Sequence, residues 1–242
     1  MAEAFSKFKE SFTFNFIEGS RWKYITNGLL VTLKVTFFAV LIGLMIGVVV
    51  AMIRSSFDQT KDEMQPGLGK TLMTALNAIA QVYLTVIRGT PVVVQLLIGY
   101  FVIFVSSTNT VLVAIMVFGI NSGAYITEII RGGIMSIDRG QFEAGRSIGF
   151  NYVQTMRHII IPQAIKNVLP SLANEFIALM KETAVCGYIG LMDLTKGGDV
   201  IRGRTFSAFM PLLAVALIYL ILVIFFSWLI SKLERRLRSN ER

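Results

Sequence analysis

The chain has little of what most active sites are built from. Of its 242 residues, one is cysteine and one is histidine. Cys186 alone forms no intrachain disulfide, and with His158 as the only imidazole no metal-ligand spacing exists. His158 falls in a basic loop and is read as a surface residue, and Cys186 as a small packed one. There is no G-x-x-x-x-G-K-[ST] phosphate loop, which excludes a nucleotide site of that kind. Charge is scarce too: 16% of residues are Asp, Glu, Lys or Arg, against roughly 25% in ordinary soluble domains.

What is present is apolar length. Hydrophobic residues make up 54% of the chain, and its mean hydropathy is +0.65. Crossing a bilayer takes about 20 apolar residues in a helix, and runs of that scale occur at 28–53, 71–106, 110–131, 164–190 and 209–231. The expected fold class is an all-α integral membrane protein with five transmembrane helices, its transmembrane domain spanning 28–242. Residues 1–27 read as an amphipathic lead-in, with Phe5, Phe8, Phe12, Phe14 and Phe16 along a membrane interface. Its charges interleave with aromatics, so it does not read as a cleaved signal peptide, and the first run is expected to serve as the insertion signal. Gly43 and Gly47 form a small-xxx-small pair suited to close helix packing.

The second run is interrupted by Arg88, Gly89, Thr90 and Pro91. Proline removes a backbone donor and clashes with the preceding turn, so a bend or gate is expected within one crossing. The third run is expected to stop at "RGG", residues 131–133. The segment 191–206, "LMDLTKGGDVIRGRTF", reads as an exposed loop rich in glycine and charge. The net charge of +8 does not point to nucleic acid, because the basic residues gather beside the ends of apolar runs. Arg54, Lys61, Lys70, Arg131, Arg139, Arg146, Arg157, Lys166, Lys232, Arg235, Arg236, Arg238 and Arg242 fall to one side of a five-crossing topology. Fewer fall to the other. By the positive-inside rule the N-terminus is outside and the C-terminus inside.

That places the polar segment 132–162 in the cytoplasm. Gly149 can take a left-handed backbone conformation at little cost and reverse the chain between two short helices. Asn151 suits the N-cap of the second helix, and Val153 and Met156 share one face of it. Pro162 fits the first turn of the following helix. Glu143 and Arg146 lie on the segment behind. Such an element can dock into a groove on a cytoplasmic partner.

At these residues the chain resembles the permease subunits of bacterial ABC importers. Their shared cytoplasmic loop reads Glu-Ala-Ala, three residues, Gly, nine residues, then Ile-x-Leu-Pro. Here Glu143, Ala144, Gly145, Gly149, Ile159, Ile161 and Pro162 stand at those spacings, with Gly145 replacing the second alanine and Ile161 the leucine. "TVIRGTPVVVQLLIGYF", "AYITEIIRGGI" and "NEFIALMKETAV" are similar to the polar amino acid branch (histidine, glutamine, arginine or opine uptake). The resemblance implies the type I importer permease fold in the bacterial cytoplasmic membrane. It implies ATPase coupling through Glu143, Ala144, Gly145, Gly149, Asn151, Val153, Met156 and Pro162. Implied partners are ABC ATPase subunits, a second permease (the same or a related chain), an extracytoplasmic amino-acid-binding protein and membrane lipid. No cofactor is expected on this chain, since ATP and Mg would sit on the ATPase, and no catalysis is expected of it.

Ionisable residues inside spans read as functional by default. Asn121, Tyr125 and Glu128 share a helical face at steps of four and three, offering an amide, a phenol and a carboxylate to one cavity. Ser171, Asn174, Glu175, Ala178 and Glu182 form a stripe on the next helix, with Lys181 at its edge. Substrate lining is one reading. The other is structural: Arg88 pairing with a neighbouring carboxylate to hold the bent second run, Arg131 pairing with Glu128, and the stripe acting as a hydrogen-bonded helix seam. Two rival functions stay open. One is the same importer class with another small solute, an opine or a cystine-like compound. The other is a secondary transporter or channel using Glu128 and Glu175, for which paired broken helices in two halves are the expected signature.

Overall fold

A computed structural model describes residues 2–61 and 64–239, and every regular element among them is helical. The helices are α1 (Ala2–Phe12), α2 (Trp22–Thr60), α3 (Leu68–Gly89), α4 (Val92–Ile98), α5 (Thr110–Met135), α6 (Arg139–Ser147), α7 (Tyr152–Thr155), α8 (Ile161–Glu182), α9 (Leu194–Thr205) and α10 (Phe209–Ser239). Among the described residues α2, α3, α5 and α10 are long and apolar enough to cross a membrane. The expected fourth run, 164–190, is helical through α8 and continues as a 3-10 segment to Ile189. Its polar stripe keeps it out of that group. Of the basic residues used for topology, Arg242 lies outside the described residues.

Helices overrun the apolar limits read from sequence. α2 begins at Trp22 and extends past Arg54 to Thr60. α5 does not stop at 131–133 but runs through both glycines to Met135. A Cβ at Gly133 would lie 2.1 Å from Val168 Cγ2, so glycine here lets α8 approach α5. The expected break after Arg88 is present. α3 ends at Gly89, Thr90 is extended (φ −121°, ψ 145°), and α4 starts after Pro91. The residue before a proline is pushed out of the helical region by its ring.

The described chain divides into two compact units. One comprises Met1–Ala39, Val92–Phe118 and Ile177–Trp228. Its core joins Phe16, Ile25, Leu194, Ile201, Met210 and Val215. Phe16 is therefore core, not interface: of the five phenylalanines named above only Phe5, Phe8, Phe12 and Phe14 are exposed. The segment expected to be an exposed loop is also corrected here. It holds the helix α9, capped by Asp193, whose carboxylate accepts from the Thr195 and Lys196 amides at 3.0 and 3.2 Å. Leu194, Gly197, Gly198, Ile201 and Thr205 form its buried face. Thr205 donates to Asn15 Oδ1 at 2.9 Å, and the Leu194 amide donates to Thr32 Oγ1 at 3.1 Å.

Asp193 is fully buried, and burial pushes its carboxyl up from the usual value although the cap hydrogen bonds pull the other way. A carboxyl raised in the folded state contributes stability that is lost as pH rises through its folded pKa. Asparagine can make the same cap without the charge. Asp193→Asn is thus expected to melt higher than the natural protein at pH 7, the gap closing as pH falls. Thermal unfolding in detergent at pH 7 and pH 5 reads this out, and a gap that widens on acidification would contradict it.

The other unit comprises Val40–Pro91, Gly119–Phe176 and Leu229–Arg242. Lipid tails are as apolar as leucine, so helices inside a membrane associate by close packing and hydrogen bonds rather than by the hydrophobic effect. Both are in use here. A Cβ at Gly47 would lie 2.4 Å from Ile126 Cγ2, and one at Gly43 3.1 Å from the Gly123 nitrogen, so the small pair on α2 seats α5. The Tyr83 hydroxyl on α3 donates to the Ile120 carbonyl at 2.6 Å, and Arg54 Nη1 donates to Asn77 Oδ1 at 2.7 Å.

Candidate functional site

The segment after α5 folds as two short helices around one glycine. Asp138 caps α6, accepting from the Gly140 amide at 2.6 Å. Gly149 then turns the chain with φ +83°, in the left-handed region. Asn151 starts α7 with a reciprocal capping box: its side chain accepts from the Gln154 amide, and Gln154 Oε1 accepts from the Asn151 amide, both at 2.9 Å. Gly145 is buried, and a Cβ there would lie 2.6 Å from Thr155 Oγ1. This gives a local reason for glycine where the resemblance expects alanine: it lets α6 and α7 touch. Glu143, Ala144, Asn151 and Val153 remain exposed and Met156 half-buried. Ile134, Ile160 and Ala164 hold the hairpin from behind, with Phe142 and Met156 packed on them.

Pro162 stands in the first turn of α8 as expected, but no break precedes that helix. No turn separates the hairpin from α8; Tyr152 to Glu182 is one unbroken helical run, with a π-widened stretch at Met156–Ile160. The Ile161 amide reaches back to the Met156 carbonyl, five residues away. A proline in a regular helix clashes with the carbonyl four residues back. The wider turn just before Pro162 makes room for the ring without ending the helix.

Around Glu128 the same unit assembles charged side chains from three helices. Arg88 Nη1 lies 3.6 Å from Glu128 Oε1, and Arg131 Nη2 lies 3.6 Å from Glu128 Oε2. Arg131 also reaches Asp58 on α2 at 3.2 Å. The Arg88 guanidinium sits 5.7 Å from the Tyr125 ring centroid, a cation–π distance. So Arg88, Tyr125 and Glu128 form one group. Asn121 does not join it in the open, because it is only 2% exposed. Shared helical face predicts direction but not depth, and Asn121 lies one turn further into the packing.

Glu128 borders two clefts. One, of about 510 Å³, is polar and holds Arg54, Gln81, Thr85 and Arg88. The other, of about 620 Å³, brings Glu128 together with Ser171, Lys166, Asn167 and Glu234. Arg54, Lys166, Asn167 and Glu234 were not singled out as site residues from sequence. Asn167 had a legible signal, standing four residues before Ser171 on the same stripe. On α8 Asn174 is exposed, and Glu175 is half-buried, with Ser122 Oγ donating to its Oε1 at 2.9 Å. Glu175 thus has the helix-seam contact that the structural reading expected. In the other unit Lys181 is exposed, and Ala178 and Glu182 are half-buried. Gly89, Thr90 and Pro91 are all exposed at the end of α3.

Comparisons with known proteins place the chain in a family. Residues 67–239 match the family described as the binding-protein-dependent transport system inner membrane component, and the chain belongs to that family. It is a multi-pass permease component of the inner membrane. It is 38% identical over 217 residues to a putative glutamine transport system permease protein of Rickettsia bellii, covering 88% of this chain and 93% of that protein. To the arginine transport system permease protein of Bacillus subtilis it is 35% identical over 221 residues, covering 90% and 94%. Among solved structures it resembles an amino acid ABC transporter with a TM-score of 0.79 at 39% identity, over 91% of this chain and 98% of that one. A methionine ABC transporter in an inward-facing conformation shares the fold alone, with a TM-score of 0.73 at 20% identity over 89% and 97%.

Proposed function

We propose that this permease passes a polar amino acid into the cell, powered by two ATPase subunits that dock on the α6–α7 hairpin. The observation that carries this is the hairpin itself: a capped, glycine-turned pair of helices with Glu143, Ala144 and Val153 exposed, on a chain whose relatives are named glutamine and arginine permeases. The chain would cross the membrane five times, N-terminus out and C-terminus in, with α8 as a polar crossing. A second permease copy, identical or related, would close the pathway along the exposed stripe of α8, and an extracytoplasmic binding protein would deliver the solute. Arg88, Glu128, Ser171, Asn174 and Glu175 are proposed as pathway residues, with Lys181 and Glu182 further along the same helix. The break at Gly89, Thr90 and Pro91 would act as a gate. ATP and Mg would be held by the ATPase.

Purifying the tagged chain gently from its own membranes tests the partnership. A co-purifying ATPase and ATP-driven uptake in vesicles are expected. A chain that arrives alone and moves solute without ATP would overturn the reading in favour of a secondary transporter. For the cargo, Glu175→Gln is expected to change the apparent affinity for the transported amino acid by about tenfold, the scale of one hydrogen bond to a charged group. An amino acid panel with unchanged kinetics would leave Glu175 as the helix seam its contact with Ser122 provides.

A further inference from the structure

One cavity in the unit that holds the hairpin shares only Val153 and Met156 with the reading above, and the rest of its lining is unused there. It is a groove of about 640 Å³, lined by α2, α5, α7 and α8 and almost wholly apolar. Val48, Met52, Ile161 and Ile165 line it and are partly or well exposed. At one end the lining turns polar, with Ser55, at the C-terminal end of α2, and Arg157, just after α7. Ser55 is 1% exposed and its hydroxyl has no hydrogen-bond partner.

The groove has the proportions of one lipid tail. On α2 its lining runs from Leu44 to Ser56, which at 1.5 Å per residue is about 18 Å. Half of a ~30 Å hydrocarbon core is about 15 Å. The single formal charge in the lining is positive, and it stands at the polar end. Basic groups between transmembrane helices on the cytoplasmic side are suited to acidic lipid headgroups. A second permease copy is a poorer fit. The polar stripe of α8 through Ser171 and Asn174 is turned roughly a third of the helix circumference from Ile161, Ile165 and Val168, at 100° per residue.

We propose that this groove holds one acyl chain of an anionic phospholipid from the leaflet on the hairpin side, with the phosphate at Arg157 and Ser55 within the headgroup's reach. The bound lipid would fill the gap between α2 and the start of α8. It would make the packing behind the hairpin dependent on membrane composition. The placement in a leaflet rests on the membrane reading of the chain, whereas the importer reading is not needed for it.

The test is lipid retention by the full chain, purified with whatever subunits accompany it and counted by native mass spectrometry. The probes are phosphatidylglycerol and phosphatidylcholine, added in equal amounts after delipidation. The natural protein is expected to retain one phosphatidylglycerol per chain in preference to phosphatidylcholine. Arg157→Gln should reduce that retention by about fivefold, the scale of one basic residue near an anionic surface. Val48→Trp, or Ile165→Phe should the first variant fail to assemble, should abolish it by filling the groove. Unchanged retention in the groove-filling variants, or equal retention of the two lipids, would overturn the proposal. So would a protein segment cross-linking into the groove from Val48→Cys. None of these readouts involves transport, so failure here leaves the importer reading standing, and failure of uptake leaves the lipid result standing.

Discussion

Gly149→Val is expected to reduce ATP-driven uptake at least tenfold while the chain still inserts and purifies. The reason is confined to the backbone. A Cβ at this position meets nothing within 4 Å, so there is no clash to absorb, but φ is +83°. A β-branched residue there is an outlier, and holding it costs about 1–3 kcal/mol, enough to favour a different turn. A different turn moves α6 relative to α7 and so misplaces the exposed residues that would meet the ATPase. Glu143→Ala is the companion variant, removing an exposed carboxylate without touching the turn. The measurement is uptake into proteoliposomes beside ATP hydrolysis by the same preparation. Hydrolysis that persists while uptake is lost marks uncoupling. Normal uptake by both variants would remove the coupling role from the hairpin.

The second large effect concerns the packing of α9. A Cβ at Gly197 would lie 2.4 Å from the Tyr24 carbonyl oxygen, and one at Gly203 would meet nothing within 4 Å. Both glycines lie in the same helix, so helix propensity is nearly shared and the contact differs. Gly197→Ala pushes a methyl into backbone that cannot rotate away, an overpacking cost of about 1–3 kcal/mol. At about 2–4 °C per kcal/mol for a chain of this size, its melting temperature should drop by about 2–12 °C. Gly203→Ala should be neutral or slightly stabilising, since alanine is the better helix former by up to about 1 kcal/mol. Equal melting temperatures for the two variants would show that α9 does not press on α2 as closely as described.

The same helix shows where sequence reasoning ran short. Two adjacent glycines and five charged residues at 193–204 read as a loop because glycine usually breaks helices. In α9 the glycines serve as flat surface instead, Gly197 against Tyr24 and Gly198 against Val215. The available signal was Asp193 as an N-cap followed by small or apolar residues at Leu194, Gly197, Gly198 and Ile201. By contrast the hairpin was legible in detail, because Gly149 and Asn151 act through their own backbone and side chain rather than through distant contacts. Helix ends at Thr60 and Met135 were not legible. Apolar runs mark where a helix meets lipid, and a helix that continues into water leaves no such mark. Depth was also hidden: Asn121 and Glu128 share a face, yet one is buried and the other borders two clefts.

The widened turn before Pro162 has a mechanical side. From Tyr152 to Phe176 the helical run measures about 35 Å at 1.5 Å per residue. A tilt of about 5° at the hairpin becomes a sweep of about 2 Å at Pro170, about 27 Å along this rod, where an interior proline removes a backbone hydrogen bond just before Ser171. A hinge at Pro162 would waste that leverage by letting the near end swing alone. The π-widened stretch supplies local give without disconnecting the rod. If the hairpin meets an ATPase as proposed, α7 would be the handle of a crank whose shaft is the stretch of α8 up to Pro170.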